Sequence, residues 1–91
     1  MPYWVYVLRS KALSRRYVGS TDDLGARLAR HEAGLVFATA PYRPWVLVHS
    51  ETFGTRSEAM RRERFLKTGR GREFLKKLED QLNRPSPPSA D

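Results

Sequence analysis

The sequence predicts one small domain of the α/β (α+β) class, with elements in the order strand, strand, helix, strand, helix, helix. Three observations carry this reading. Short runs of β-branched and aromatic residues stand near the N-terminus, a third such run follows a Pro-punctuated loop, and the segments between and after carry apolar residues at helical spacing behind capping residues.

Tyr3 to Leu8 is almost wholly β-branched, aromatic or aliphatic, as suits a strand covered on both faces. The polar stretch Arg9 to Arg16 interrupts it, and Arg16 to Ser20 resumes with Tyr17 and Val18, so a hairpin with a basic loop is expected. Ser20 or Thr21 is expected to cap a helix whose first turn holds Asp22 and Asp23, where carboxylates meet the positive end of the helix dipole. Leu24, Arg27, Leu28 and His31 follow helical spacing, and Gly34 provides a stop. Leu35 to Pro44 reads as a loop and Trp45 to Phe53 as a third strand that Gly54 ends. Thr55 and Glu58 form a Thr-x-x-Glu capping box for a helix running to about Lys67. Gly69 and Gly71 are expected to break the chain before a last helix with Phe74, Leu75, Leu78 and Leu82 as its apolar stripe.

Composition narrows the function. A chain of 91 residues has room for one modest core, and the absence of Cys excludes disulfide scaffolds, thiol nucleophiles and thiolate metal sites. His31 and His49 alone are too few soft ligands for zinc. The longest apolar runs are strand-length and no basic-then-hydrophobic leader opens the chain, so neither a signal peptide nor a membrane span is expected, and the expected location is cytoplasmic. The boundaries read as a folded domain over 1–82 and a Pro- and Ser-rich tail over 83–91 expected to be disordered. The net charge of +7 is spread over the whole fold, which favours a polyanionic partner, nucleic acid before membrane.

Several residues stand in awkward places. Helical spacing puts Glu63 on the stripe of Ala59 and Leu66, where a carboxylate either forms a half-buried salt bridge with Arg61, Arg62 or Arg64 or serves chemistry; the salt bridge is the simpler reading of the pattern alone. Arg27 and His31 share a helix face with Leu24 and Leu28. Either Arg27 pairs with Glu63 and His31 is a satisfied core residue, or the pair meets a phosphate. Tyr6 and Tyr17, in the two N-terminal strands, read by default as packing residues whose hydroxyls find partners.

Taken together, Trp4-Val5-Tyr6, a ten-residue gap, Tyr17-Val18-Gly19-Ser20-Thr21, then Arg27 and His31, and later Arg56-Ser57-Glu58-Ala59 with Glu63, resemble the GIY-YIG nuclease family over roughly residues 3 to 78. The resemblance is greatest to small free-standing members related to the nuclease module of the bacterial excision-repair incision subunit. It implies a three-stranded antiparallel sheet flanked by helices. It also implies catalytic roles for Tyr6, Tyr17, Arg27, His31 and Glu63, with Glu63 holding one divalent ion, Mg²⁺ or Mn²⁺, and Gly19 as the motif glycine. Trp4 stands where the family name has Gly, Val18 replaces Ile, and Ser20 stands where some relatives carry Lys. The implied reaction is hydrolysis of DNA phosphodiester bonds in repair or recombination, with Tyr17 or His31 as the base and little intrinsic sequence preference. RNA is the alternative substrate, and a protein partner is a further source of specificity. Arg9, Lys11, Arg15, Arg16, Arg62, Lys67, Arg70 and Arg72 are the candidate backbone-phosphate contacts. The competing reading is a nucleic-acid-binding module that keeps the fold without efficient cleavage, and the oligomeric state stays open.

Overall fold

The computed structural model describes residues 2–83 and contains β1 (Tyr3–Ser10), β2 (Arg16–Thr21), α1 (Leu24–Glu32), a 3-10 turn (Ala40–Tyr42), β3 (Trp45–Phe53), α2 (Arg56–Leu66) and α3 (Gly69–Asn83). The strands form one antiparallel sheet in the order β2-β1-β3, so β1 is central and β2 is an edge. Central placement explains the apolar run at the N-terminus: Val5, Tyr6, Val7 and Leu8 are each no more than 1% exposed. Alternation divides them between two cores. Val5 and Val7 pack with Val18, Ala59, Leu66 and Leu75 on the side of α2 and α3. Tyr6 and Leu8 pack with Trp45, Leu24, Leu28 and Tyr42 on the side of α1.

Strand β3 spans the expected residues, and Gly34 ends α1 with φ +76° as expected. Other boundaries differ: β1 runs through Ser10, two residues into the stretch expected as loop, and β2 ends at Thr21. The N-cap of α1 is Asp23, whose carboxylate accepts the Ala26 N–H at 3.0 Å, and not Ser20 or Thr21. Those residues are committed to the ladder, where Val5 faces Ser20 and Trp4 faces Thr21, so Asp22 and Asp23 precede the helix instead of filling its first turn.

Gly69 and Gly71 do not break the chain; both lie inside α3. Gly71 is there for closeness, since a Cβ on it would fall 2.1 Å from the Phe65 carbonyl oxygen and 2.4 Å from Leu66 Cα. Thr68 starts the helix by accepting the Gly71 N–H at 3.2 Å. The Thr55–Glu58 box forms in part: the Thr55 hydroxyl accepts the Glu58 N–H, while the Glu58 carboxylate takes the Thr55 hydroxyl proton rather than a backbone one. On α3, Leu75 is buried, and the next inward position is taken by a carboxylate, Glu79, at 5% exposure. It accepts Arg16 through both oxygens at 2.9 Å and Arg9 at 2.6 Å, fastening α3 to β1 and β2 together. Of the expected tail, Asn83 ends α3, and the rest lies outside the described residues. No helix among the described residues is long and apolar enough to cross a membrane.

Candidate active site

Side-chain alternation along β2 sets out the site. Tyr17 and Gly19 face the α1 side, and Val18 and Ser20 face the α2 side, so neighbouring residues serve opposite faces of an edge strand.

On the α1 side, Tyr6, Tyr17 and His31 form a three-ring cluster with centroids 5.0 to 6.1 Å apart. Gly19 leaves the room for it: a Cβ there would lie 2.6 Å from the Tyr6 hydroxyl and 2.9 Å from Tyr17 Cε1. Helix α1 carries His31 inward to 1% exposure, with Nε2 2.9 Å from the Tyr6 hydroxyl and Nδ1 2.7 Å from Thr39 Oγ1. Burial, and then the positive charge of Arg27, hold its imidazole below the ordinary histidine range, so it is neutral at pH 7. Burial, reinforced by neighbouring Tyr17, drives the Tyr6 phenol well above its usual value. Tyr6 therefore stays protonated, while Tyr17 is only half-buried.

On the α2 side, Glu63 stands one turn from buried Ala59 and close to buried Leu66, and its side chain keeps 22% of its surface. Ser20 Oγ donates to one carboxylate oxygen at 2.6 Å and Lys67 Nζ to the other at 2.7 Å. Burial pushes this carboxyl's pKa up, but those two bonds and the nearby charges of Lys67 and Arg64 outweigh it and leave it below the ordinary value. Glu63 is thus in a salt bridge, but with Lys67 one turn on and not with Arg61, Arg62 or Arg64 as the sequence suggested. Arg62 is instead engaged by Glu51 at 2.8 Å. Arg27 is half-buried and has no ion pair or hydrogen bond from its guanidinium among the described residues, so the alternative pairing with Glu63 does not form. It lines an open cleft of about 220 Å³ with Ser20, Thr21, Asp22, Arg56 and Tyr3, beside the strand that bonds Glu63. A second cleft, holding Tyr17, Arg16, Lys67 and Arg72, opens along the same strand.

The candidate phosphate contacts are not equivalent. Arg9 and Arg16 are held by Glu79, Arg62 by Glu51 and Lys67 by Glu63, whereas Arg15 lies over the Tyr42 ring at 4.2 Å. Lys11, Arg70 and Arg72 have no carboxylate partner among the described residues and are exposed. Three residues of the site have no role legible in the sequence: Ser20, the partner of Glu63, Arg56 in the cleft wall and Thr39 behind His31. Ser20 was readable only as a substitution in the motif, and no local pattern marked Thr39.

Residues 2–78 match the GIY-YIG catalytic domain. A UPF0213 protein of Staphylococcus haemolyticus is 41% identical over 80 residues, covering 87% of this chain and 96% of its own. One from Natronomonas pharaonis is 40% identical over 67 residues, covering 72% and 78%. The solution structure of a UPF0213 protein from Bacillus halodurans is similar with a TM-score of 0.53 and 33% identity, over 87% of this chain and 86% of that one. With the match extending over both tyrosine strands, the Arg27 and His31 helix and the Glu63 helix, the chain belongs to the GIY-YIG catalytic-domain family, a family of nucleases.

Proposed function

We propose that this protein is a divalent-metal-dependent endonuclease that hydrolyses DNA phosphodiester bonds. The observation that carries the reading is the arrangement around β2: a proton-handling ring cluster on one face, a carboxylate on the other, and, in the cleft at its end, Arg27 with no ion pair among the described residues.

The donor chemistry at Glu63 fits a hard ion. It is a carboxylate beside a hydroxyl, with the Lys67 ammonium on its second oxygen standing where a cation binds, and no group of three or more His, Cys, Asp or Glu exists among the described residues to make a dedicated cage. One carboxylate with water completing the shell suits Mg²⁺ or Mn²⁺. When bound, such an ion supplies charge that stabilises the leaving 3′ oxygen and polarises the phosphate.

The chain's own groups do the rest. His31, at 1% exposure with both ring nitrogens occupied, does not touch substrate, so the base in contact with water is Tyr17. Tyr17 passes its phenolic proton to Tyr6, Tyr6 passes its own to Nε2 of His31, and the Tyr17 oxygen takes the proton of the attacking water. One proton thereby leaves the water and one arrives on imidazole. The high pKa of Tyr6 makes it a link in this relay and not its end. Arg27 binds the phosphoryl oxygens, where negative charge grows in the transition state. Lys11, Arg70 and Arg72 hold the duplex by its backbone, which positions without reading sequence. The proposed setting is DNA repair or recombination in the cytoplasm, with a protein partner as the source of substrate choice.

Supercoiled plasmid incubated with Mg²⁺, Mn²⁺ or chelator tests this. Nicking that needs metal and disappears in Glu63→Ala and Tyr17→Phe, while both variants still bind DNA, is the expected result. Binding without cleavage of supercoiled, branched and single-stranded DNA overturns it in favour of a binding module.

A further inference from the structure

We infer that Thr39 is a positioning residue: it fixes His31 as the tautomer with its proton on Nδ1, and so turns the Tyr6 hydroxyl proton onto Nε2. The inference deepens the proposed reaction and rests on it only for its catalytic consequence.

Thr39 lies in the connection between α1 and β3, where side chains are ordinarily solvated, yet it is 1% exposed. It is anchored from several directions. The Trp45 indole N–H of β3 donates to its carbonyl at 2.8 Å. Its own N–H donates to the Val36 carbonyl at 3.1 Å, and its hydroxyl reaches that same oxygen at 3.3 Å. The indole therefore ties this residue to the sheet and sets Oγ1 at 2.7 Å from Nδ1 of His31.

Counting protons gives the line a direction. A threonine hydroxyl has one hydrogen, and a carbonyl oxygen can only accept. With that hydrogen on the Val36 oxygen, Oγ1 must accept, so Nδ1 carries the proton of the neutral imidazole. Nε2 is then a bare acceptor, and the buried Tyr6 hydroxyl 2.9 Å away donates to it. The Tyr6 oxygen then keeps its lone pairs for a second partner, and Tyr17 is the neighbouring phenol, its ring centroid 6.1 Å from that of Tyr6. The Val36 oxygen also takes the Ala40 N–H at 2.9 Å, so the hydroxyl is its third donor and makes the longest of the three contacts. The opposite polarity would put the proton on Nε2, reverse every bond in the line and leave His31 unable to accept from Tyr6.

The test is the ¹⁵N signature of His31 in the full chain at pH 7.5, read by long-range ¹H–¹⁵N correlation. Expected are the Nδ1–H form in the wild type and in Thr39→Ser, and a shift towards Nε2–H in Thr39→Val, which has no acceptor. Plasmid nicking is expected to fall at least tenfold in Thr39→Val at unchanged DNA binding and to be restored in Thr39→Ser. An Nε2–H form in the wild type overturns the inference without any variant, and so does an unchanged His31 signature in Thr39→Val. A shifted signature with full nicking overturns the positioning role. If the wild type does not nick at all, the proposed nuclease falls, while the His31 spectra still decide the tautomer assignment.

Discussion

Gly19 owes its identity to two aromatic rings. With a Cβ position 2.6 Å from the Tyr6 hydroxyl, Gly19→Ala must push Tyr6 out of reach of His31 or bend β2 away. Overpacking of this kind costs about 1–3 kcal/mol; urea denaturation should register that loss, and plasmid nicking should fall further than stability does. His31 gives a second prediction, in pH. Its folded-state pKa lies below the ordinary 6.5 because of burial and then Arg27. Below pH 6.5 the unfolded chain binds a proton that the folded chain refuses, so the stabilisation present above that value is lost as pH falls through the folded-state pKa. The lowered carboxylates Glu51, Glu63 and Glu79 keep their contributions until pH drops below their ordinary 4.5. Between pH 6.5 and 4.5 the His31 slope, at most about 1.4 kcal/mol per pH unit, should therefore appear in urea midpoints of the wild type and be absent in His31→Gln.

Elements show where local pattern suffices and where it does not. Strand β3 was legible because Pro44 and Gly54 bracket a β-rich run, and α2 because Thr55 caps it through a bond only three residues long. Thr55→Ala should cost about 1 kcal/mol, measurable as a lowered midpoint with an unchanged denaturant slope. The start of α1 was misread because Ser20 and Thr21 have the chemistry of a cap but are held by pairing with β1, a tertiary demand. Gly71 sits within α3 for a similar reason, since its value lies in contact with the end of α2 and not in breaking its own helix. The site divides the same way. Glu63 on an apolar stripe and the Arg27 and His31 pair are intrahelical patterns, whereas Ser20 meets Glu63 across 43 residues of sequence and no periodicity announces such a contact. Glu79 joins three elements at once. Glu79→Ala should therefore loosen α3, with a loss of about 1.5–3 kcal/mol from charge-assisted bonds to arginines, and hydrogen exchange should accelerate in α3 and at the β1–β2 hairpin before elsewhere.

At the scale of the molecule, the proposed function makes charge the determinant of how DNA is held. Four of the candidate phosphate contacts are already balanced by Glu51, Glu63 and Glu79, so the net charge of +7 acts through a smaller set of exposed cations. Binding to a labelled duplex should weaken steeply with salt, and Lys11→Ala or Arg72→Ala should reduce the slope of log affinity against log salt, whereas Arg62→Ala should change it little. An affinity independent of salt would count against this account. The sheet itself imposes one more condition. Because the groups proposed to react lie around β2, that edge has to remain unpaired, and its free N–H and C=O row is a template on which any extended chain can add. Arg72, which lines the cleft beside Tyr17 and has no carboxylate partner among the described residues, is expected to discourage a second copy of this basic protein from docking there while admitting a polyanion. On the proposed function such a cation is also a guard against self-assembly, and neutralising it should expose the protein to aggregation through this edge strand.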